Sequence, residues 1–436
     1  MEAQTNLSLR SLWPIKWRAF GIASLINLFP ILTIFYLIIW NSESMSWITR
    51  GVFLILMALS MKGLNCANIL KEKAQIYDFM MAIFFCFAII GYIRSDYLEL
   101  GFLYFLFLNL FVFFLGRFSN GNEHYSLFAY LFTFGLCASL VFLCSLPEIY
   151  HQWKYVGPKH PVLFGVINTV AGLDITLGLL AVSAGCAICL DYFRQIQCVK
   201  WLMHACVALS MFLLILIGSK AVIIIVFLSL ITVIAVQYQR WRNALSLLVA
   251  FSIGLVVALV VAPENNIQYY NLVSPNALIE YFKVYTSSSG IPQEIPETAI
   301  PQEIPETADT GVIRMHLTLD ALNKIIDRPW LGIGAKIWTY NSPHPHNIFI
   351  ESALIFGIPS FCVLVAFYVM ALWRLLIRSV DKKQDVLIGA LLLFFIFYNC
   401  IQGQLASFRS LPLFLLSGYA ASMITRQREF VTFGKK

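Results

Sequence analysis

"WLMHACVALSMFLLILIGSKAVIIIVFLSLITVIAVQ", Trp201 to Gln237, is apolar throughout its 37 residues except at "GSKAV". One helix of that length would be about 55 Å long, against a hydrocarbon core of about 30 Å. The stretch therefore reads as two membrane spans turning tightly at Gly218–Lys220, which puts Lys220 at a membrane–water boundary. Runs of about 20 apolar residues recur along the whole chain of 436 residues. Hydrophobic residues make up 59% and charged residues only 12%, with a mean hydropathy of +0.77. A soluble domain carries about 25% charged residues, so the fold class expected is an all-α polytopic membrane protein.

About twelve transmembrane helices follow, at 19–41, 48–69, 76–93, 99–116, 127–146, 168–190, 201–218, 219–237, 244–262, 347–373, 386–402 and 409–424. The N-terminal "MEAQTNLSLRSLWPIKWRAF" is basic, but the apolar run after it is long enough to span and lacks a small-residue cleavage site, so no cleavable signal is expected. With the N-terminus inside, eighteen Lys and Arg fall on inner segments. Six, Arg50, Arg94, Lys154, Lys159, Lys220 and Arg409, fall on short outer loops. The positive-inside rule then places both termini in the cytoplasm. The net charge of +7 is mostly this bias and gives no argument for nucleic acid as a partner. The ten cysteines lie in spans or near the inner face. Cys186 and Cys189, spaced C-x-x-C inside a span, read as small buried hydrophobes rather than a redox or metal pair.

The organisation read from this is a cytoplasmic N-terminus at 1–18, transmembrane helices 1–9 over 19–262, and a long outer loop at 263–345. Helices 10–12 over 346–424 and a cytoplasmic tail at 425–436 complete it. The loop contains a perfect duplication, "IPQEIPETA" at 291–299 and 300–308, whose proline content and lack of apolar periodicity suit a flexible spacer. An amphipathic helix is expected at 311–327, with Asp309 or Thr310 as N-cap and Met315, Leu319, Leu322 and Ile326 forming its apolar stripe over the outer mouth of the bundle. "PWLGIGA" turns the chain back toward "SPHPHNIFIESALIFGIPSF", Ser342–Phe361, where His346 and Asn347 open the tenth span in place of an aromatic anchor. Free backbone N–H groups at that start would suit an anionic ligand.

Charges inside spans are costly and usually functional. Lys62 and Asp78 lie toward the inner side, where snorkelling explains them. Asp174, Lys220 and Glu351 fall in the outer thirds of their spans, and with Arg314, His346 and Arg409 they form a polar cluster at one face of the membrane. Lys220 could also be a residue snorkelling at a turn, and His346 a helix-capping histidine.

At these residues the chain resembles the bacterial O-antigen ligase and O-antigen polymerase superfamily of inner-membrane glycosyltransferases. The matching elements are "GVIRMHLTLDALNKIIDRPWLGIG", "HPHNIFIE" and "FGIPSF", together with "GSKAVIIIVF", where Lys220 stands in place of the family's arginine. The H-x-H-N-x-x-x-E form and the late "ASFRSLPLFLLSGY" are more similar to O-antigen ligases than to polymerases. The resemblance runs from about Leu163 to Thr425.

It implies a GT-C-like glycosyltransferase in the inner membrane of a Gram-negative bacterium, with its active site facing the periplasm. It implies a glycan donor on undecaprenyl pyrophosphate and lipid A–core as acceptor, in an inverting, metal-independent reaction of lipopolysaccharide biosynthesis with no cofactor. Departure of pyrophosphate calls for fixed cations, for which Arg314, Lys220 and Arg409 are the candidates. Removal of the acceptor proton suits His346 as general base. His344, Asn347, Glu351 and Asp174 are supporting residues, Glu351 as a buried hydrogen-bond partner. His151, His160 and His204 show no metal-ligand spacing. Four rivals stand beside this reading, among them a structural or assembly membrane protein and a protein glycan ligase with a serine or asparagine acceptor. A polymerase of the same superfamily would use the same donor. A lipid-linked oligosaccharide flippase would place charges near the midplane in broken helices, which the sequence does not display.

Overall fold

The computed structural model of the chain describes residues 17–26, 55–61, 75–94, 100–118, 124–155, 170–191, 196–216, 219–237, 241–261, 310–335, 345–378, 382–403, 405, 407 and 409–433. All regular structure among them is helical. Before residue 262 a described helical segment at 55–61 accompanies α1 (Trp17–Ile26), α2 (Ile76–Ile93), α3 (Leu100–Arg117), α4 (His124–Tyr155), α5 (Val170–Cys189), α6 (Gln197–Leu216), α7 (Lys220–Val236) and α8 (Trp241–Val261). After the stretch 262–309 come α9 (Thr310–Asp327), α10 (Ile348–Phe356), α11 (Ile358–Leu372, continued by a π turn to Arg378), α12 (Lys383–Gln402) and α13 (Leu411–Phe433). Six of these contain stretches long and apolar enough to cross a membrane, and five shorter apolar helices accompany them. The duplicated repeat, Lys62 and most of the segment expected as the first two spans lie outside the described residues.

The outward faces of the spans are as apolar as the core. Leu248, Val249, Ile253 and Val256 of α8 and Val369 and Ile377 of α11 are exposed. Lipid rather than water explains such faces. Between helices, close approach depends on small residues: a Cβ at Gly116 of α3 would collide with the backbone of Leu415, and one at Gly418 of α13 with the backbone of Phe113.

Charged groups fasten one side of the bundle. Arg117, at the end of α3, donates two hydrogen bonds to the Asp78 carboxylate at 2.8 and 3.1 Å, and Asp78 also accepts the Gln75 N–H that opens α2. Arg18 of α1 donates to the carbonyls of Phe118 at 2.8 Å and Leu115 at 3.4 Å, satisfying acceptors left over at the α3 C-terminus. Asp78 is thus held in a bidentate ion pair, not snorkelling as the sequence suggested.

Two expected boundaries change. The predicted fifth span, 127–146, lies within a 32-residue helix, α4, that continues through the start of the expected 147–167 loop to Tyr155. The tenth span, expected at 347–373, is not one helix. It breaks at Gly357, whose φ of 93° and ψ of 165° suit glycine almost alone. The chain then folds back on itself. Ser360 Oγ donates to the Ser352 carbonyl at 3.0 Å, and the rings of Phe349 and Tyr368 lie 5.7 Å apart. Nineteen residues along an unbroken helix would separate those rings by about 28 Å.

Neighbouring rings fix the levels. Phe356, at the C-terminal end of α10, packs on Phe102 near the start of α3, while Phe367 and Tyr368 sit beside Phe113 and Ser417 farther along the bundle. The helix long and apolar enough to cross a membrane is Ile358–Arg378, and α10 runs back alongside it. His346 and Asn347 therefore lie about 13 Å below Gly357, the length of α10. The aromatic anchors are elsewhere: Trp330 abuts Gly357 at the outer end, and Arg378 stacks over Trp373 at the other.

Gly357→Val should cost about 1–3 kcal/mol, because the side chain forces a glycine-type backbone and strikes the Trp330 backbone. A thermal unfolding midpoint unchanged from the parent in the same detergent would contradict the reversal at this position.

Candidate active site

α10 is buried along nearly its whole length, and its N-terminus is built by two consecutive residues. His346 has φ 50°, left-handed for a non-glycine residue, and is half-buried. Such outliers persist where surrounding structure holds them and concentrate at functional sites. Asn347 is the N-cap: its side-chain oxygen accepts the N–H groups of Phe349 at 3.0 Å and Ile350 at 3.2 Å. Those two amides are consequently engaged, so the free N–H groups expected here for an anion are reduced by the asparagine itself.

Glu351 follows in the first turn, 1% exposed, and its carboxylate accepts the backbone N–H of Leu405 at 2.7 Å. Leu405 belongs to the connection between α12 and α13, whose described residues form a turn sunk into the bundle. Asn109, midway along α3 and 1% exposed, donates to the Leu405 carbonyl at 2.8 Å. Ser410 Oγ, also fully buried, lies 3.0 Å from Asn109 Oδ1 and 2.8 Å from the Ser407 carbonyl. Both backbone groups of Leu405 are thus satisfied by side chains from two distant helices. Asn109 lies nine residues into α3, so the turn sits about 13 Å along that helix from its N-terminus.

Arg409 lies on the same turn, half-buried, and its charge acts on the carboxylate of Asp174 in α5. Asp174, 4% exposed, accepts Ser219 Oγ at 2.9 Å and the Ile175 N–H at 2.7 Å. Ser219 is the residue before Lys220, which opens α7. Two groups result. Asp174, Ser219 and Arg409 join α5, the α6–α7 turn and the sunken turn. Glu351, Leu405, Asn109 and Ser410 join α10, α3 and the same turn. The sunken turn is common to both.

His344 lies outside the described residues, as do the side chains of Lys220 and Arg314. Position 314 is seven residues before Ala321, so it shares the face of α9 that packs on α10. Sequence reading missed Asn109, Ser219 and Ser410. Asn109 had a usable signal, a lone amide within an apolar span. The two serines had none, since serine is common in spans.

The comparisons with known proteins now bear on this arrangement. The family model described as Wzy_C, O-antigen ligase, matches residues 205–365. This stretch is similar to the O-antigen ligase family. No curated protein and no solved structure matches the chain. The matched stretch contains Lys220, Arg314, His346, Asn347 and Glu351, while Asp174 and Arg409 lie outside it, Asp174 bound to Ser219 within it and Arg409 on the turn that Glu351 holds through Leu405. The chain is a helical membrane protein by its apolar helices, and over residues 205–365 it is similar to the O-antigen ligase family.

Glu351→Gln keeps an acceptor for the Leu405 N–H and should preserve the protection of that amide from hydrogen exchange. Glu351→Leu leaves a buried N–H unpaired, at about 1–3 kcal/mol, and should expose it. Equal protection in both variants would show that the carboxylate does not hold the turn.

Proposed function

We propose that the protein is an O-antigen ligase. It transfers a glycan en bloc from undecaprenyl pyrophosphate to a sugar hydroxyl of lipid A–core at the periplasmic face of the inner membrane, with both termini cytoplasmic. The chain adopts about twelve spans in a GT-C-like arrangement, and the reaction is inverting and metal-independent. The observation that carries this reading is the coincidence of the O-antigen ligase match with the hydrogen bond that ties Glu351, inside the matched stretch, to the turn bearing Arg409.

The proposed chemistry follows from the residue types. His346 takes the acceptor proton as the new glycosidic bond forms. Its half-buried place at the foot of α10 suits a group that must meet a substrate hydroxyl. Arg314, Lys220 and Arg409 bind the departing pyrophosphate, where fixed cations in a water-poor site stabilise developing charge. Asp174 and Ser219 position Arg409, and Glu351 and Asn347 hold α10 against the turn. His344 contacts the acceptor. The lysine at 220 offers a point charge where an arginine would grip two oxygens.

One finding bears on the flippase reading. A broken helix with polar groups well inside the membrane, unforeseen from the sequence, is also how transporters build midplane sites. Product analysis separates the readings. The protein is reconstituted with undecaprenyl-pyrophosphate glycan and lipid A–core, and products are resolved by gel and mass. Glycan on the core is the expected result. A lengthened donor without core product would make the protein a polymerase. Glycan crossing the bilayer with no new bond would make it a flippase.

In the same assay His346→Ala should lose about 10²–10⁴ in rate, and full activity would remove it as base. Lys220→Arg should retain activity while Lys220→Ala loses it. Equal activity in the two would return Lys220 to a residue snorkelling at a turn.

A further inference from the structure

α9 carries its polarity the wrong way round for a helix resting on an apolar bundle in water. The described part of the expected stripe is not buried against the protein: Leu319 is 46% exposed, Leu322 41% and Ile326 73%. The helix packs instead through Ala321 and Ile325, which meet Ala353 and Leu354 of α10 together with Ile350 and Phe361. At about 100° per residue, these two faces are roughly 110° apart around the helix. A third face bears Asp320 and Lys324, paired at i,i+4 with Lys324 46% and Asp320 59% exposed. α9 therefore has one side toward protein, one toward water, and one apolar side that the described residues leave largely exposed.

Its surroundings identify what covers it. The turn after α9 is stitched to the outer end of the α10–α11 hairpin: Ile358 N–H donates to the Pro329 carbonyl at 2.7 Å, Ile333 N–H to Leu354 at 2.8 Å, and Gly334 N–H to Ile355 at 3.1 Å. Trp330, 75% exposed, and Leu331 extend the stripe to Ile358, 40% exposed, where the lipid-facing side of α11 begins. The apolar side of α9 is thus continuous with a surface already turned to lipid, at the level where the span starts. We propose that α9 lies in the plane of the membrane with Leu319, Leu322, Ile326 and Trp330 seated among the acyl chains of bulk phospholipid in the outer leaflet.

Charge has little part in this seat. Asp320, Lys324, Asp327 and Arg328 cancel, so the affinity comes from apolar burial and is independent of anionic lipid. The seat would also hold position 314, on the inward face, at headgroup depth. On the reading under Proposed function that is where a lipid-linked pyrophosphate lies, but the seat itself does not require that reading.

The test uses the full chain, without donor, in phosphatidylcholine nanodiscs whose acyl chains carry a photoactivated diazirine near the carbonyl or at the terminal methyl. Adducts are mapped by mass spectrometry. The carbonyl-proximal probe should label residues 319–330, consistent with burial about 5–10 Å into the headgroup boundary, and the terminal probe should favour mid-span positions such as Val369. Replacing part of the lipid by phosphatidylglycerol should not change the pattern. Label on the spans but none on α9 would overturn the proposal. Ile326→Glu gives a check on the seat that leaves the α10-facing side intact: label on 319–330 should fall severalfold while label at Val369 stays, and unchanged label on 319–330 would also overturn it.

Discussion

The hydrogen bond from the Leu405 N–H to the Glu351 carboxylate carries the arrangement that matters here. Lipid offers no partner to an open backbone, so irregular chain inside a membrane survives only where the protein supplies the missing partners. The connection between α12 and α13 is such a chain, sunk beside the middle of α3. Glu351 supplies its acceptor and Asn109 its donor at a single residue, Leu405. A carboxylate in an apolar helix is costly alone. Paired to a buried amide it becomes the strut between α10 and the turn bearing Arg409.

The same constraint accounts for α10. A helix that starts inside the bundle must have its first amides satisfied, and Asn347 does this for two of them. Its other end must reverse within one residue, which Gly357 permits. Ser360 then closes the hairpin by donating to the Ser352 carbonyl, and the paired rings of Phe349 and Tyr368 fill its base. Histidine and asparagine stand at positions 346 and 347 because that point is the foot of a buried helix, not the entrance of a span.

Much of the helical content was legible because apolar run length is a direct consequence of bilayer thickness. The break between α6 and α7 followed from length alone, and the extent of α9 from its polar punctuation. The α10–α11 reversal was not legible. A glycine within an apolar run reads equally as a tolerated interruption, and the contacts that fold the chain back pair residues eight and nineteen apart. The outward stripe of α9 was misassigned because periodicity reports that one face is apolar without saying whether protein or lipid covers it. At the site, Glu351 could be read as a buried hydrogen-bond partner from its setting. Its partner could not, since a backbone amide leaves no mark in the sequence.

The most direct test is to find where the donor's phosphates lie. An undecaprenyl pyrophosphate analogue with a photoreactive group beside the phosphates would be irradiated with the full chain in nanodiscs, and its adducts mapped. This account predicts adducts on residues 345–351 and on the turn between α12 and α13, competed away by unmodified donor. Adducts confined to the Asp78–Arg117 side of the bundle, with the foot of α10 and the sunken turn unlabelled, would contradict it.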